Sequence, residues 1–418
     1  MTVAAWSTPV RPSPTTAFCR AGAAWEGGPT VNVLYVNGLD LLAWTLVGAS
    51  AVGCLYLAGA AWAVARFVAR RPRLPALEPP VSVLKPLCGE DPDLYQNLRS
   101  FCSQDYPAFQ IVFGVGRADD PAVLVVRRLM AEFPAADLTL VVDGRQRGGN
   151  LKVANLLNML PAAQHEILIM ADSDMRVGPR YLREVTAPLH DAEFGLVTCL
   201  YRGLSAGGIW SQLACLHVNH GFLPQAALGA AMGAGAGCFG ATIALRRDTL
   251  DRIGGFAAIA DSLADDHALG RAVRRIGLRV ELSPHLVDDI IAEPGLAALF
   301  HHELRWARTI RLVAPAGFFG SVITYPVALA LLAVGLNDLP VAAPAMLIAA
   351  LLCRVLTVRA VDFMLRLPPS PLLLLPVRDL LSFAVFVASF FARTVAWRDH
   401  TFRVGRNGQV TLDGDSPA

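Results

Sequence analysis

The stretch EILIMADSDMRV, residues 166–177, drives four apolar residues, Ile167 to Met170, straight into two aspartates, Asp172 and Asp174. A short apolar run ending in turn residues reads as a strand buried on both faces. Packing does not explain its ending, because carboxylates two residues apart repel each other unless something positive sits between them. The surrounding segments supply the frame. VSVLKPL (81–87), FQIVFGVG (109–116) and LTLVVD (138–143) read as further strands. DLYQNLRSFCSQ (93–104), PAVLVVRRLMAEF (121–133) and NLKVANLLNMLP (150–161) read as helices. This alternation predicts an α/β domain whose Rossmann-like, mostly parallel sheet is covered on both faces. Ligands of such sheets bind at the carboxyl ends of the strands, which is where the two aspartates fall.

The rest of the chain is greasier than a soluble enzyme. Of 418 residues, 54% are hydrophobic and only 17% charged, which implies membrane segments. Residues 1–38, rich in Pro, Thr and Ala, are expected to form a disordered leader. A transmembrane helix is expected over 39–69, since Leu41 to Val68 is almost wholly apolar. Arg66, Arg70, Arg71 and Arg73 at its far end mark that side as cytoplasmic, together with the polar domain over 80–312 that follows. Membrane helices are expected over 316–397, with spans near 316–336, 341–363 and 377–397, and a polar tail over 398–418. The last apolar segment leaves a conflict: a full crossing puts Arg393, Arg398, Arg403 and Arg406 outside, so a re-entrant or interfacial path stays open. Gly221 to Leu245 is uncharged but holds six glycines and a proline, and reads as a Gly-rich loop leading into the strand CFGATIALRR.

A net charge of +2 and the absence of a long Lys/Arg run argue against a nucleic-acid partner. The eight cysteines form no CxxC pair and no zinc spacing, and read as small apolar residues in a reducing compartment.

Five polar clusters could carry chemistry. Asp172 and Asp174 suit a hard divalent cation, Mn2+ or Mg2+, shared with a diphosphate, although a plain turn uses the same residue types. In LADDHALG, Asp265 and Asp266 open a helix; N-capping accounts for one, and a general base for the other. Asp119 and Asp120 follow a strand, fit for a nucleotide base or ribose or for a simple Asp-Pro turn. GGNLKVANLLN offers glycine backbone, the point charge of Lys152 for phosphate, and Asn155 on the same helix face. HHELRWARTIR places Arg305, Trp306, Arg308 and Arg311 just before an apolar span, as interfacial anchors or as contacts for diphosphate, sugar and lipid.

Taken in order, Asp119/Asp120, ADSD, ADD and HELRW, with KPLCGEDPDLYQNLRSFCSQDYP, GGNLKVANLLN and RRDTLDRIGGF, resemble the D, D, D, (Q/R)xxRW signature of ceramide glucosyltransferases. LVTCLYRG, LADDHALG and HELRWARTIR look closest to the bacterial branch associated with hopanoid biosynthesis. The resemblance runs from about Val81 to the C-terminus. It implies an A-type nucleotide-diphosphosugar transferase fold with N- and C-terminal transmembrane helices in a bacterial plasma membrane. It also implies inverting transfer of glucose or N-acetylglucosamine from a UDP-sugar to a hydroxyl of a hopanoid polyol or ceramide. Carried over residue by residue, Asp119 or Asp120 contacts the nucleotide, Asp172 is the second aspartate and Asp266 the base, and Arg305 and Trp306 complete the last motif. His302 stands where the family has Gln or Arg, and His220 falls on the acceptor side. A processive polysaccharide synthase shares the aspartate motifs, and a non-catalytic membrane scaffold is the remaining alternative.

Overall fold

A computed structural model of the chain describes residues 38–72, 77–233 and 237–391, with the backbone of 394–397, 400–404 and 410–412. The expected leader over 1–37 therefore lies outside the described residues. Eight strands form the central sheet: β1 (Val81–Pro86), β2 (Phe109–Val115), β3 (Asp137–Val142), β4 (Ile167–Met170), β5 (Met175–Arg176), β6 (Phe194–Ser205), β7 (Ile243–Arg246) and β8 (Arg279–Ile291). Their order is β3-β2-β1-β4-β7-β6-β8-β5. β1 is parallel to both β2 and β4, while β7 runs antiparallel between β4 and β6. The chain winds outward from β1 to β3 and then returns to place β4 on the other side of β1. That reversal opens a crevice at the carboxyl ends of β1 and β4.

The short strands hold because both their faces are covered. All four residues of β4 are buried. Ile167 and Ile169 join one core with Val83, Ile111 and Phe113, while Leu168 and Met170 join the other with Leu84, Val112 and Leu245. Helices α2 (Leu94–Cys102) and α3 (Ala122–Glu132) lie over the first core, and α4 (Leu151–Met159) over the second. Further along come α5 (Tyr181–Thr186), α6 (Ile209–His217), α7 (Leu223–Ala231), α8 (Arg247–Arg252) and α9 (Asp265–Arg275).

The region expected as a Gly-rich loop is largely helical. α6 passes through a single π-helical turn, Val218–Phe222, directly into α7, and the described residues between Ala231 and β7, 232–233 and 237–242, are non-helical. The alanines and leucines of LPQAALGAA and their packing against the helix preceding β1 outweigh the helix penalty of one glycine.

That preceding helix, α1 (Gly38–Val68), and α13 (Ala342–Leu365) are the two described helices long and apolar enough to cross a bilayer. Only 22% of the most apolar window of each is buried against protein, and Phe363 is 85% exposed, so both present large apolar faces outward. Helix α10 (Leu296–Val313) leads to α11 (Pro315–Gly320), a 3-10 turn and α12 (Pro326–Leu336). Pro315–Thr324 and Pro326–Leu336 are together long and apolar enough to cross a bilayer but are bent by 66° where they meet. Pro326, the first residue of α12, accounts for the bend, because it has no N–H to bond back to the preceding turn and the helix cannot run on through it. The final apolar stretch is not one continuous helix. α14 (Leu375–Ala388) opens with Pro376 in its first turn and is 14 residues long, about 21 Å and short of a bilayer core of roughly 30 Å. Strands β9 (Thr394–Trp397), β10 (His400–Val404) and β11 (Val410–Leu412) then form a small antiparallel sheet, with β9 in the stretch expected as a membrane span and β10 and β11 in the expected polar tail.

Candidate active site

Asp172 follows β4 at the mouth of the crevice. Lys152, the second residue of α4, reaches it with Nζ 2.5 Å from Asp172 Oδ1. The same ammonium lies 3.6 Å from Asp265 Oδ2 at the start of α9. Two loops distant in sequence are stitched to make this meeting. The Asn150 side chain caps α4 by accepting from the Lys152 and Val153 amides, and donates to the Ser262 carbonyl at 2.8 Å. The Asn150 amide donates to the Ala260 carbonyl, and the Gly149 amide to Asp261 Oδ1. Gly148 precedes them at φ +99°, where a Cβ would meet Ala260 Cβ at 2.6 Å, so this position requires glycine.

Asp266 completes the group. Its Oδ2 accepts from the Gly240 amide at 3.1 Å and its Oδ1 from the His267 amide at 2.6 Å. Gly240 marks the point of convergence: a Cβ there would lie 3.2 Å from Asp172 Oδ2, 3.2 Å from Lys152 Nζ and 3.8 Å from Asp266 Oδ2. Burial and the neighbouring Asp265 push the Asp266 carboxyl up to about 7, against the pull of Lys152. Burial opposes the charge of Lys152, but Asp172, Asp265 and Asp266 outweigh it and hold the lysine firmly protonated.

A second acidic set adjoins the first. Burial, then Asp172 and Asp91, raise Asp174 to about 7, and its Oδ1 is buried without a hydrogen-bond partner. Ser173 Oγ donates to Asp91. Asp289 on β8, opposite Met175 in the register and 7% exposed, is raised well above the carboxylate range by burial, Asp174, Asp172 and Glu293. Nothing in the sequence pattern singled out Asp289 or Asp91; the β5–β8 pairing is what delivers Asp289. Among the described residues no group of three His, Cys, Asp or Glu side chains is arranged to hold a metal ion. The buried, unpartnered Asp174 oxygen beside Asp172 fits a cation held by two carboxylates, with a diphosphate filling further positions.

The other expected residues divide. Asp120 is occupied as a backbone acceptor, with both carboxylate oxygens 3.0 Å from the Gly89 amide and Oδ1 2.9 Å from the Ala122 amide. Asp119, exposed, pairs with Arg117 at 2.6 Å. Asn155 turns away from Lys152 and donates to the Gly114 carbonyl at 2.9 Å, tying α4 to the end of β2. Arg305 and Trp306 lie on α10. The Trp306 indole stands edge-on to His302 with ring centres 4.4 Å apart, and stacks toward His217 on α6 at 6.3 Å. His302 Nδ1 is 2.7 Å from Glu293 Oε1, just past the end of β8. His217 and Glu293 were not picked out from sequence. His220 lies elsewhere, in a buried knot between domain and apolar helices: its Nε2 meets Ser370 Oγ at 2.9 Å and Asp362 Oδ1 at 3.1 Å, and its carbonyl accepts from Arg354.

A family model, glycosyl transferase family 21, matches residues 45–410. The chain belongs to that family. This family 21 enzyme is 25% identical over 367 residues to ceramide glucosyltransferase 3 of Caenorhabditis elegans, covering 79% of this chain and 74% of that one. It is 25% identical over 231 residues to ceramide glucosyltransferase 1 of the same organism, covering 55% of this chain and 49% of the relative. Among solved structures, it is similar to the mannosyltransferase PcManGT from Pyrobaculum calidifontis in complex with GDP-Man and Mn2+, with a TM-score of 0.52 and 21% identity over 84% of this chain and 99% of that one. The fold is thus that of the A-type nucleotide-diphosphosugar transferases. The family 21 chain is a ceramide glucosyltransferase-like, hexosyl-transferring membrane enzyme, which removes the scaffold alternative.

Proposed function

We propose that this chain transfers glucose or N-acetylglucosamine from a UDP-sugar to a hydroxyl of a membrane lipid, with inversion at the anomeric carbon. The catalytic domain faces the cytoplasm at a bacterial plasma membrane, and the acceptor is a hopanoid polyol or a ceramide. One observation carries the reading: Asp172, Lys152 and Asp266 converge around Gly240 in a crevice attached to apolar helices. A carboxylate for a cation, an ammonium and a carboxyl poised near neutrality are the groups that sugar transfer from a diphosphate needs.

In this mechanism Asp266 is the base. As the lipid oxygen bonds to the anomeric carbon, its proton passes to Asp266 and the bond from that carbon to the diphosphate breaks, releasing UDP. Lys152 orients Asp172 through the 2.5 Å contact and offsets charge near the leaving group. Asp172 and Asp174 would hold Mn2+ or Mg2+, which when bound neutralises charge on the diphosphate. Asp119 and Asp120 sit on the loop after β2 for the nucleotide side, where Asp120 acts by shaping the Gly89 turn. Arg305 is assigned to the departing diphosphate, and Trp306 with His302 to the acceptor head. The resemblance around LVTCLYRG and LADDHALG favours the hopanoid polyol over ceramide. His220, tied to Ser370 and Asp362, is assigned to holding the acceptor-side helices rather than to touching the acceptor.

The test is mass spectrometry of lipids from membranes containing the chain, incubated with a panel of nucleotide sugars and both acceptors. A glycosylated hopanoid polyol or ceramide formed only with a UDP-hexose or UDP-N-acetylhexosamine is the expected result. Intact acceptors with every donor would overturn the reading.

A further inference from the structure

One buried cation near the site has no part in the transfer chemistry described above. Lys85, the fifth residue of β1, is fully buried, in a strand whose other interior residues are apolar or neutral. Its aliphatic stem and ammonium lie over the Phe101 ring, 3.9 Å from the ring centre. Its Nζ donates to the backbone carbonyl of Asp172. Three carboxylates, Asp174, Asp172 and Asp91, face it, and Lys152 approaches from the far side of Asp172.

Burying an amine costs several kcal/mol unless it is paired, so a lysine at this depth needs a reason. Packing supplies none, since a methionine or leucine would fill the same space. The hydrogen bond does. β4 ends at Met170, and the turn over 171–174 is held at its two ends, where the Ala171 amide donates to the Leu84 carbonyl and the Asp174 carbonyl accepts from the Ile290 amide, while the Asp172 carbonyl between them accepts from backbone only weakly, from Met175 at 3.4 Å. The strand neighbour that could secure the outward-pointing carbonyl is β1, and Lys85 is the β1 residue that reaches it. An amine donates in either protonation state, so the contact does not depend on titration.

We infer that Lys85 is a positioning residue, pinning the Asp172 carbonyl from beneath so that the Asp172 and Asp174 carboxylates hold the geometry that a divalent cation requires. The inference rests on the assignment of those two aspartates to the cation. Partners one step behind metal ligands commonly set affinity by about 10–100-fold.

The measurement is Mn2+ binding to the full-length protein in lipid nanodiscs without donor, read from the electron paramagnetic resonance signal of free Mn2+, alongside the melting temperature. Lys85→Met keeps the volume and removes the donor; Lys85→Arg keeps a donor; Asp172→Asn is the control for the seat. Expected is a Mn2+ affinity at least about tenfold weaker in Lys85→Met, with most of the affinity retained in Lys85→Arg and the fold intact in both. Mn2+ binding in Lys85→Met as tight as wild type, or tighter, with binding lost in Asp172→Asn, overturns the role of Lys85 alone. A tighter value would show a competing charge rather than a pin. Unchanged binding in Asp172→Asn overturns the cation seat and this inference with it. Should Lys85→Met fail to fold, Lys85→Leu, which also removes the donor, gives the same comparison.

Discussion

At the scale of the residue, the decisive property is the protonation of Asp266. Its carboxyl is raised to about 7, and a protonated acid cannot accept the acceptor's proton. The competent fraction therefore grows as pH rises through about 7, and kcat/KM should climb on that limb and level off above it. Asp266→Asn should lower kcat by about 10²–10⁴ and abolish the limb while leaving donor binding in place, as read from a pH series of initial rates. Near-normal turnover in that variant would remove the base assignment. Residue types were legible here, but partners were not. The spacing of Asp172 and Asp174 announced a charged seat, yet Asp91 and Asp289 carry no local signature, because β5–β8 pairing and the loop after β1 bring them in. Asp120 showed the reverse: an acid at a strand end, expected to touch ligand, spends both oxygens on backbone amides.

At the scale of the element, α10 carries Arg305 and Trp306, and a buried ion pair fixes its attitude. Glu303, between His302 and Arg305, meets Arg378 of α14 through two contacts of 2.7 Å, and Arg378 also donates to the Leu213 carbonyl of α6. Both side chains are almost wholly buried. A second pair, Arg354–Asp379 at 3.0 Å, joins α13 to α14. Removing one partner leaves a buried charge unpaired, so Arg378→Met should destabilise the protein by about 3–5 kcal/mol. The double variant Glu303→Gln/Arg378→Met should recover most of that loss, measured by thermal unfolding in detergent; equal loss in single and double variants would contradict the pairing. The periodicity of the sequence made helices and short strands readable from Val81 to Met170, where each is amphipathic or uniformly apolar. It misread Gly221 to Ala231, because small residues look like a loop until the face of α1 that they pack against is known. The break in the last apolar segment was foreshadowed by Pro376, but the strand at Thr394 was not.

At the scale of the whole molecule, the sheet order places the crevice between β1 and β4, and the path from β8 through Glu293 into α10 runs from the acidic cluster toward the apolar helices. Among the described residues, two long apolar helices and one bent pair form a modest membrane complement, suited to bringing a lipid head to the crevice rather than to threading a polymer. The product should therefore carry one sugar per lipid, and a ladder of oligosaccharides in the mass spectrum would favour the processive alternative. The strands β1 to β4 and their parallel winding could be read from the sequence, whereas β5 and the two longest strands, β6 and β8, could not. The antiparallel insertion of β7 could not, since residues 171–242 give no period that says where the chain re-enters the sheet.

The stitching of residues 148–150 to 260–262 has a consequence for biogenesis. The Gly149–Asp261 hydrogen bond closes a loop of 112 residues and, with the Asn150 contacts to Ala260 and Ser262, brings the segment that carries Asp266 up to the start of α4. On the ribosome, α1 has emerged and met the membrane long before Asp266 exists. Until then Asp172 and Lys152 lack their partners on α9, and before β7 is made the nascent enzyme is a membrane-tethered half-sheet with its edge at β4 open. Long-range closure of this kind is slow and leaves such edges exposed while it waits. Catalytic competence thus arrives late, since β7 must close the edge at β4 and α9 must then dock against the start of α4.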